Sequence, residues 1–253
     1  YGKEMIFALL HETGNNAAEI ACHFGPSDHP EVPGRWQYYG VSLPFWRSYD
    51  KEDPRREFFY YDYTGDAKRD DQSDYGFHYM VPEEGVTVVP NDTTKYMQNV
   101  ATMKYTYDMI SDAYYDGRTI CIFRLSDVIL CKAEIENNLN GPAAALPYLN
   151  QIRARAGAPE YGKHNRFPAP STKETMNDAI LKERGYELVF EFQRRADLIR
   201  FGKYEEVVNA HLKKLGIAQP TNVTSSLRYF PYPLNDAQLN PNLAAENPSR
   251  LPK

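Results

Sequence analysis

A tract from Arg118 to Tyr204 constrains this chain most, because its apolar and charged residues recur at helical spacing. Leu125, Val128, Ile129 and Ala133 follow in steps of three and four, the mark of one helix face. Asn140-Gly141-Pro142 ends that helix and restarts the chain. Ala144, Ala145, Tyr148, Leu149 and Ile152 then supply the face of an antiparallel partner. Small residues at close approach, with large ones opposite, suit a tetratricopeptide-like hairpin. One such pair cannot bury its own core and is expected to stack on helices elsewhere. Ser171-Thr172-Lys173-Glu174 is a capping-box match that opens the next helix. That run carries Ile180, Leu181, Arg184, Leu188 and Glu191, with a small cost at Gly185, and leads on through Arg194 to Gly202.

The first half reads differently. Pro26, Pro30, Pro33, Pro44, Pro54, Pro82 and Pro90 punctuate it, with aromatics between them. The chain has 20 Tyr and 18 Pro, and much of both lies outside the helical tract, which predicts long ordered loops rather than disorder. Glu4 to Leu10 is a short apolar run expected as a buried strand or core segment, and Val86 to Val89 as another strand. The expected architecture is mostly α: a tetratricopeptide-like helix pair and further helices, with long irregular loops and a few short strands. Residues 1–117 form the loop-rich aromatic part and 118–253 the helical part, together one compact unit.

Several function classes recede at once. A formal charge of −5 argues against a nucleic-acid binder, whose footprint is basic. No apolar run is long enough to span a bilayer, and no secretory signal opens the chain. Cys22, Cys121 and Cys131 are odd in number and widely spaced, which suits unpaired thiols rather than a disulfide framework or a zinc pattern. His11, His23, His29, His78, His164 and His211 show no metal-binding spacing, so neither metal nor cofactor is expected; Asp70, Asp71 and Asp74 could hold only an adventitious calcium.

Three clusters carry possible chemistry. Glu183, Glu187 and Glu191 sit four apart, which could bring two carboxylates together as in a glycosidase. Arg184, Arg194, Arg195 and Arg200 lie close by, and a mixed cluster of this kind is more often a structural ion-pair network. Arg153 and Arg155 close the second helix of the hairpin, where cations complement the helix dipole or bind an anion. The third cluster is aromatic: Arg35-Trp36-Gln37-Tyr38-Tyr39 and Phe45-Trp46-Arg47-Ser48-Tyr49 hold both tryptophans. Sugar rings stack their C–H faces on such planes, while neighbouring Arg and Gln bond hydroxyls. Arg35, Trp36, Tyr38, Tyr39, Trp46 and Tyr49 are therefore the candidate ligand residues, unless the tryptophans merely anchor loops into the core. Tyr60-Tyr61-Asp62-Tyr63 with Tyr75 to Tyr79 is a lesser candidate.

The ordered motifs resemble the C-terminal half of a SusD/RagB-family protein. Arg124 to Leu130, followed by Lys132-Ala133-Glu134, resembles the family's R-x-A-D/E-V-x-L-x-x-A-E helix, and Asn150 to Gly157 its N-x-I-R-x-R-A-G element. Glu183, Arg184, Glu187, Glu191, Arg194, Asp197 and Arg200 fall on its E-R-x-x-E-L-x-x-E-G-x-R-x-x-D-L-x-R signature, with Asp127, Glu134, Arg153 and Arg155 in the preceding motifs. Tyr229 to Pro233, then Asn240-Pro241 and Asn247-Pro248, resemble the closing segment, and Glu4 to Phe7 and Asp50 to Arg55 fit weaker features. Phe192 stands where the family usually has Gly, Phe201 where Trp is common, and Glu246 where Gln is common.

The resemblance implies a glycan-binding outer-membrane protein rather than an enzyme. It would capture oligo- or polysaccharide at the bacterial surface for a SusC-like TonB-dependent transporter. It also implies a cell-surface lipoprotein whose lipid anchor lies outside this chain, a C-terminal portion of the family's length. Alternatives are a peptide cargo, as for RagB-like relatives, a structural transporter-partner module, or a glycoside hydrolase with Asp50 and Asp53 as its carboxylates.

Overall fold

The computed structural model describes residues 3–12, 23–26, 29–30, 37–65, 76–84, 94–105, 119–214 and 223–242. They fall into two compact units, Tyr1–Glu191 and Phe192–Lys253. The first contains β1 (Met5–Leu9), β2 (Val41–Ser42), α1 (Leu43–Arg47), β3 (Phe59–Tyr60), β4 (Asp62–Thr64), β5 (His78–Met80), β6 (Thr94–Tyr96), β7 (Asn99–Thr102) and β8 (Ile120–Arg124). It continues with three long helices, α2 (Leu125–Asn140), α3 (Pro142–Ala156) and α4 (Lys173–Glu187). The second unit contains α5 (Arg194–Arg200), α6 (Tyr204–Lys214) and α7 (Leu234–Leu239). Long helices and few short strands make the fold mostly α.

The hairpin forms where its residues dictate. Gly141, at φ +89, is the single residue between α2 and α3, and Pro142 then takes the first helical position where no N–H is needed. Gly157, at φ +73, closes α3 in a Schellman turn: its N–H donates to the Ala154 carbonyl and the Ala158 N–H to that of Arg153. Helix α4 opens with Thr172 at the N-cap, boxed with Thr175, one residue later than the Ser171–Glu174 match, because the Thr175 hydroxyl reaches the Thr172 backbone N–H.

Between the three helices, Leu130, Ala133, Ala145, Leu149, Ile152, Met176 and Ile180 are buried. The expected face of α3 is the buried one. That of α2 is rotated: Ser126, Leu130, Ala133 and Asn137 point inward, whereas Leu125 and Val128 are exposed. A run of apolar residues on both sides of α2 hid which side the partners cover.

The loop-rich region folds onto α4. Antiparallel β2-β7-β3 forms one small sheet, and β4-β5-β6 a second in which β5 and β6 are parallel. Val41, Leu43, Trp46, Tyr49, Phe59 and Val100 form a core with Tyr186 of α4. Strand β1 pairs antiparallel with β8. It is a strand as expected but not a buried one, since Met5, Ile6, Phe7 and Leu9 are exposed. Within the unit Tyr1–Glu191 the loop-rich and helical parts are joined: β1 pairs with β8, and Tyr186 packs in the loop-rich core. The Val86 to Val89 segment lies outside the described residues.

Candidate functional site

The charged signature residues converge on a buried network along α4. Asp53 caps a short 3-10 helix, Pro54–Glu57, and chelates Arg55 through Nε at 3.0 Å and Nη2 at 2.8 Å. Arg55 Nη1 then donates to Glu183 Oε1 at 2.7 Å and Glu187 Oε2 at 3.1 Å. Arg153 Nη1 reaches the other oxygen of Glu183 at 2.7 Å, with its guanidinium 4.9 Å from the Tyr161 ring centroid and 4.7 Å from that of Phe167.

Glu187 also accepts from Arg124 at 2.6 Å and from Arg155. Burial alone would disfavour its charge. Arg124, Arg155 and Arg55 outweigh that and hold the carboxyl at about 2.

Helix α4 ends at Glu187, so Glu191 is not on the same helix as its two predecessors. A turn with Phe190 at φ +60 brings it back, where it accepts from Arg124 Nε at 2.8 Å and from Lys104. Glu4 accepts from Arg124 at 2.9 Å, Arg155 at 3.0 Å and Ser126 at 2.7 Å. Five cations (Arg55, Lys104, Arg124, Arg153, Arg155) thus face five carboxylates (Glu4, Asp53, Glu183, Glu187, Glu191).

The remaining signature residues have structural surroundings too. Arg184 Nη2 meets Asp127 Oδ1 at 2.7 Å. Arg200 pairs with Asp197 at 3.1 Å, Arg194 opens α5 and has an interaction of its own, and Glu134 sits half-buried on α2. From the sequence Arg55 was named only as the end of the weaker Asp50-to-Arg55 feature, and Lys104 was not named. The Asp-Pro-Arg step was the available signal for Arg55, an N-cap followed by proline; nothing local marks Lys104.

The aromatic candidates divide sharply. Trp46 is 5% exposed and Tyr49 2%, so neither presents a face to a ligand, which corrects the expectation for both. Trp46 donates from Nε1 to the Arg56 carbonyl at 3.4 Å beneath the Arg56 guanidinium. Tyr49 stacks on Tyr186 at 4.1 Å and bonds its carbonyl at 3.1 Å. They anchor loops, because a large flat side chain is also the best core filler.

Tyr38 and Tyr39 lie outside, 65% and 59% exposed. His23 lies against both, with ring centroids 5.5 Å and 6.2 Å away, and the Tyr39 N–H donates to the His23 carbonyl at 3.1 Å. His23 was missed because fourteen residues separate it from the pair in sequence. Arg35 and Trp36 lie outside the described residues, as do Tyr75, Asp70, Asp71, Asp74 and Cys22. In the lesser cluster Tyr60 and Tyr63 are buried, and Tyr63 stacks on Tyr79 at 5.0 Å. Among the described residues no group of three His, Cys, Asp or Glu could hold a metal, and no helix is long and apolar enough to cross a membrane.

Comparison with known proteins places this geometry. The SusD family model matches residues 27–249. The chain is 39% identical over 120 residues to SusD-like protein P25 of Formosa agariphila, covering 47% of this chain and 22% of that protein. It is 28% identical over 137 residues to starch-binding protein SusD of Bacteroides thetaiotaomicron, covering 53% and 22% respectively. Among solved structures it superposes on surface glycan-binding protein A from Bacteroides thetaiotaomicron in complex with laminarihexaose, with TM-score 0.62 and 21% identity, over 93% of this chain and 50% of that one. At that identity the likeness is one of fold. The matched stretches cover about a fifth of the length of these two curated relatives, and the superposed chain covers half of the solved one. With the family match running over most of the sequence, the chain belongs to the SusD family.

Proposed function

We propose that this chain is a glycan-binding component of a Bacteroidetes outer-membrane uptake system, presenting oligo- or polysaccharide to a SusC-like TonB-dependent transporter at the cell surface. Family membership is the observation that carries the reading. The starch-binding and laminarihexaose-bound proteins among its likenesses support a carbohydrate cargo over a peptide. Tyr38 and Tyr39 are the platform: two exposed rings, braced by His23, offer apolar faces to pyranose C–H groups and phenol edges to hydroxyls. Arg35 and Trp36, their neighbours in sequence, are proposed as ligand residues on the sequence pattern alone.

Capture without hydrolysis fits the carboxylates. A general acid must hold a proton near neutral pH, whereas Glu187 is held ionised to about 2. Asp53 and Glu183 each accept charge-assisted bonds from arginine and have no oxygen free for a substrate. Asp50 pairs with Arg166 at 3.1 Å.

Native affinity electrophoresis against a panel of soluble polysaccharides tests the reading. At least one glycan should retard the protein, and Tyr38→Ala or Tyr39→Ala should weaken that binding by roughly tenfold, the cost of losing one well-used aromatic contact. Retardation that survives both substitutions and Trp36→Ala would move the site elsewhere. No retardation by any glycan would remove the glycan reading.

A further inference from the structure

The segment that carries Tyr38 and Tyr39 is fixed at both ends. Before it, Gln37 sits at φ +48, a strained backbone for a residue with a side chain, and such strain persists where the surroundings impose it. After it, Gly40 leads into β2, which pairs antiparallel with β7 through Val41 with Val100 and Ser42 with Asn99. A Cβ on Gly40 would stand 2.5 Å from Asn99 Oδ1, 2.9 Å from Asn99 Cγ and 3.0 Å from the Val100 carbonyl oxygen. Only a residue without a side chain lets the Asn99 amide lie against the backbone there.

Strand β7 changes character at its first residue. Val100, Ala101 and Thr102 are buried, whereas Asn99 is exposed. Among the described residues the Asn99 side chain makes no hydrogen bond and no ion pair. Packing on Gly40 sets where the amide lies, yet its oxygen and nitrogen stay unused, and Gly40 is the chain neighbour of Tyr39, about 3.8 Å away between Cα atoms. We propose that Asn99 is a ligand residue of the tyrosine platform and that Gly40 is its positioning residue; the inference rests on the glycan-binding reading above. An amide offers one acceptor and one donor side by side, which suits two vicinal hydroxyls of one sugar unit. The pyranose C–H face lies on a tyrosine ring, the Asn99 carbonyl accepts from one hydroxyl, and its NH2 donates to the next. The rings supply contact area that any pyranose can use, so it is the amide that selects which hydroxyls are free and how they are oriented.

The test is native affinity electrophoresis of the full chain in gels of soluble starch, laminarin, xylan or galactomannan, with Asn99→Ala, Gly40→Ala and the double variant beside the parent. For the glycan that retards the parent, Asn99→Ala should weaken binding roughly tenfold, the effect of leaving a bonded hydroxyl without its partner. Asn99 is exposed, so that change does not threaten folding. Gly40→Ala should weaken binding similarly, because its methyl group displaces the amide. In the Asn99→Ala background it should cost much less, a coupling that two independent structural effects would not show. If Gly40→Ala does not fold, Asn99→Ala alone decides. Losses that simply add overturn the positioning role of Gly40. Retardation that Asn99→Ala leaves unchanged overturns the proposal: if Tyr38→Ala still weakens it, the tyrosine platform stands without Asn99, and if not, the site lies elsewhere. No retardation in any gel overturns the proposal together with the glycan reading.

Discussion

Phe192 sits at φ +63 with 66% of its surface exposed. A side chain in the left-handed region costs roughly 1–2 kcal/mol, and an exposed ring recovers little of that by burial. Glycine occupies this backbone without the penalty, although it loses about 0.5–1 kcal/mol to chain entropy. Phe192→Gly should therefore raise stability by up to about 1 kcal/mol, seen as a higher urea midpoint at unchanged slope. A lower midpoint would mean that the ring makes contacts worth more than the strain. This position was legible in the sequence, as the place where a family glycine is missing. Trp46 and Tyr49 were not legible: residue type alone does not separate an aromatic that binds a ligand from one that pins a loop. Only their packing against Tyr186 and Arg56 separates them from Tyr38 and Tyr39.

At the scale of elements, α2 shows what periodicity can and cannot tell. Its inward face is small and partly polar, with Ser126, Ala133 and Asn137 beside Leu130. Asn137 is accommodated because its Nδ2 donates to the Lys173 carbonyl and to Asn177, both at 2.8 Å. Meanwhile Leu125, Val128, Ile135 and Leu139 form an exposed stripe in steps of three, seven and four. The helix and both its ends could be read from spacing and from Gly141-Pro142. The direction it faces could not, since α2 is apolar on two sides and its neighbours decide. The arrangement predicts that Ile135→Glu with Leu139→Glu changes stability by less than about 0.5 kcal/mol, the usual range for surface sites. Light scattering should show less self-association than in the parent chain, because the exposed apolar stripe of α2 has been broken. A loss of several kcal/mol would place these side chains in a packed contact.

For the whole molecule, the ion network ties the loop-rich region to the hairpin. Arg55 and Lys104 come from the first half, Arg124 from β8, and Arg153 and Arg155 from the end of α3; their carboxylates are Glu4 just before β1, Asp53 in the first half, Glu183 and Glu187 on α4, and Glu191 beyond its end. This joint crosses the change in composition near residue 118 and lies within the unit Tyr1–Glu191. Because burying such charges is costly, the network stabilises only while its carboxylates stay ionised. Glu187 titrates at about 2 in the folded chain against an ordinary value of 4.5, and Glu4 is also lowered: burial opposes its charge, but Ser126, Arg155 and Arg124 outweigh it. With the folded pKa below the unfolded one, the contribution is complete above about pH 4.5 and is lost as pH falls towards 2. For Glu187 alone this amounts to roughly 3 kcal/mol. Urea unfolding followed by circular dichroism across that interval should show the midpoint falling steeply. Glu187→Gln should be less stable near neutral pH yet have a shallower fall, since it has no proton to take up at that site. A parent profile as shallow as that of the variant would mean that the arginines do not hold Glu187 as tightly as their distances require.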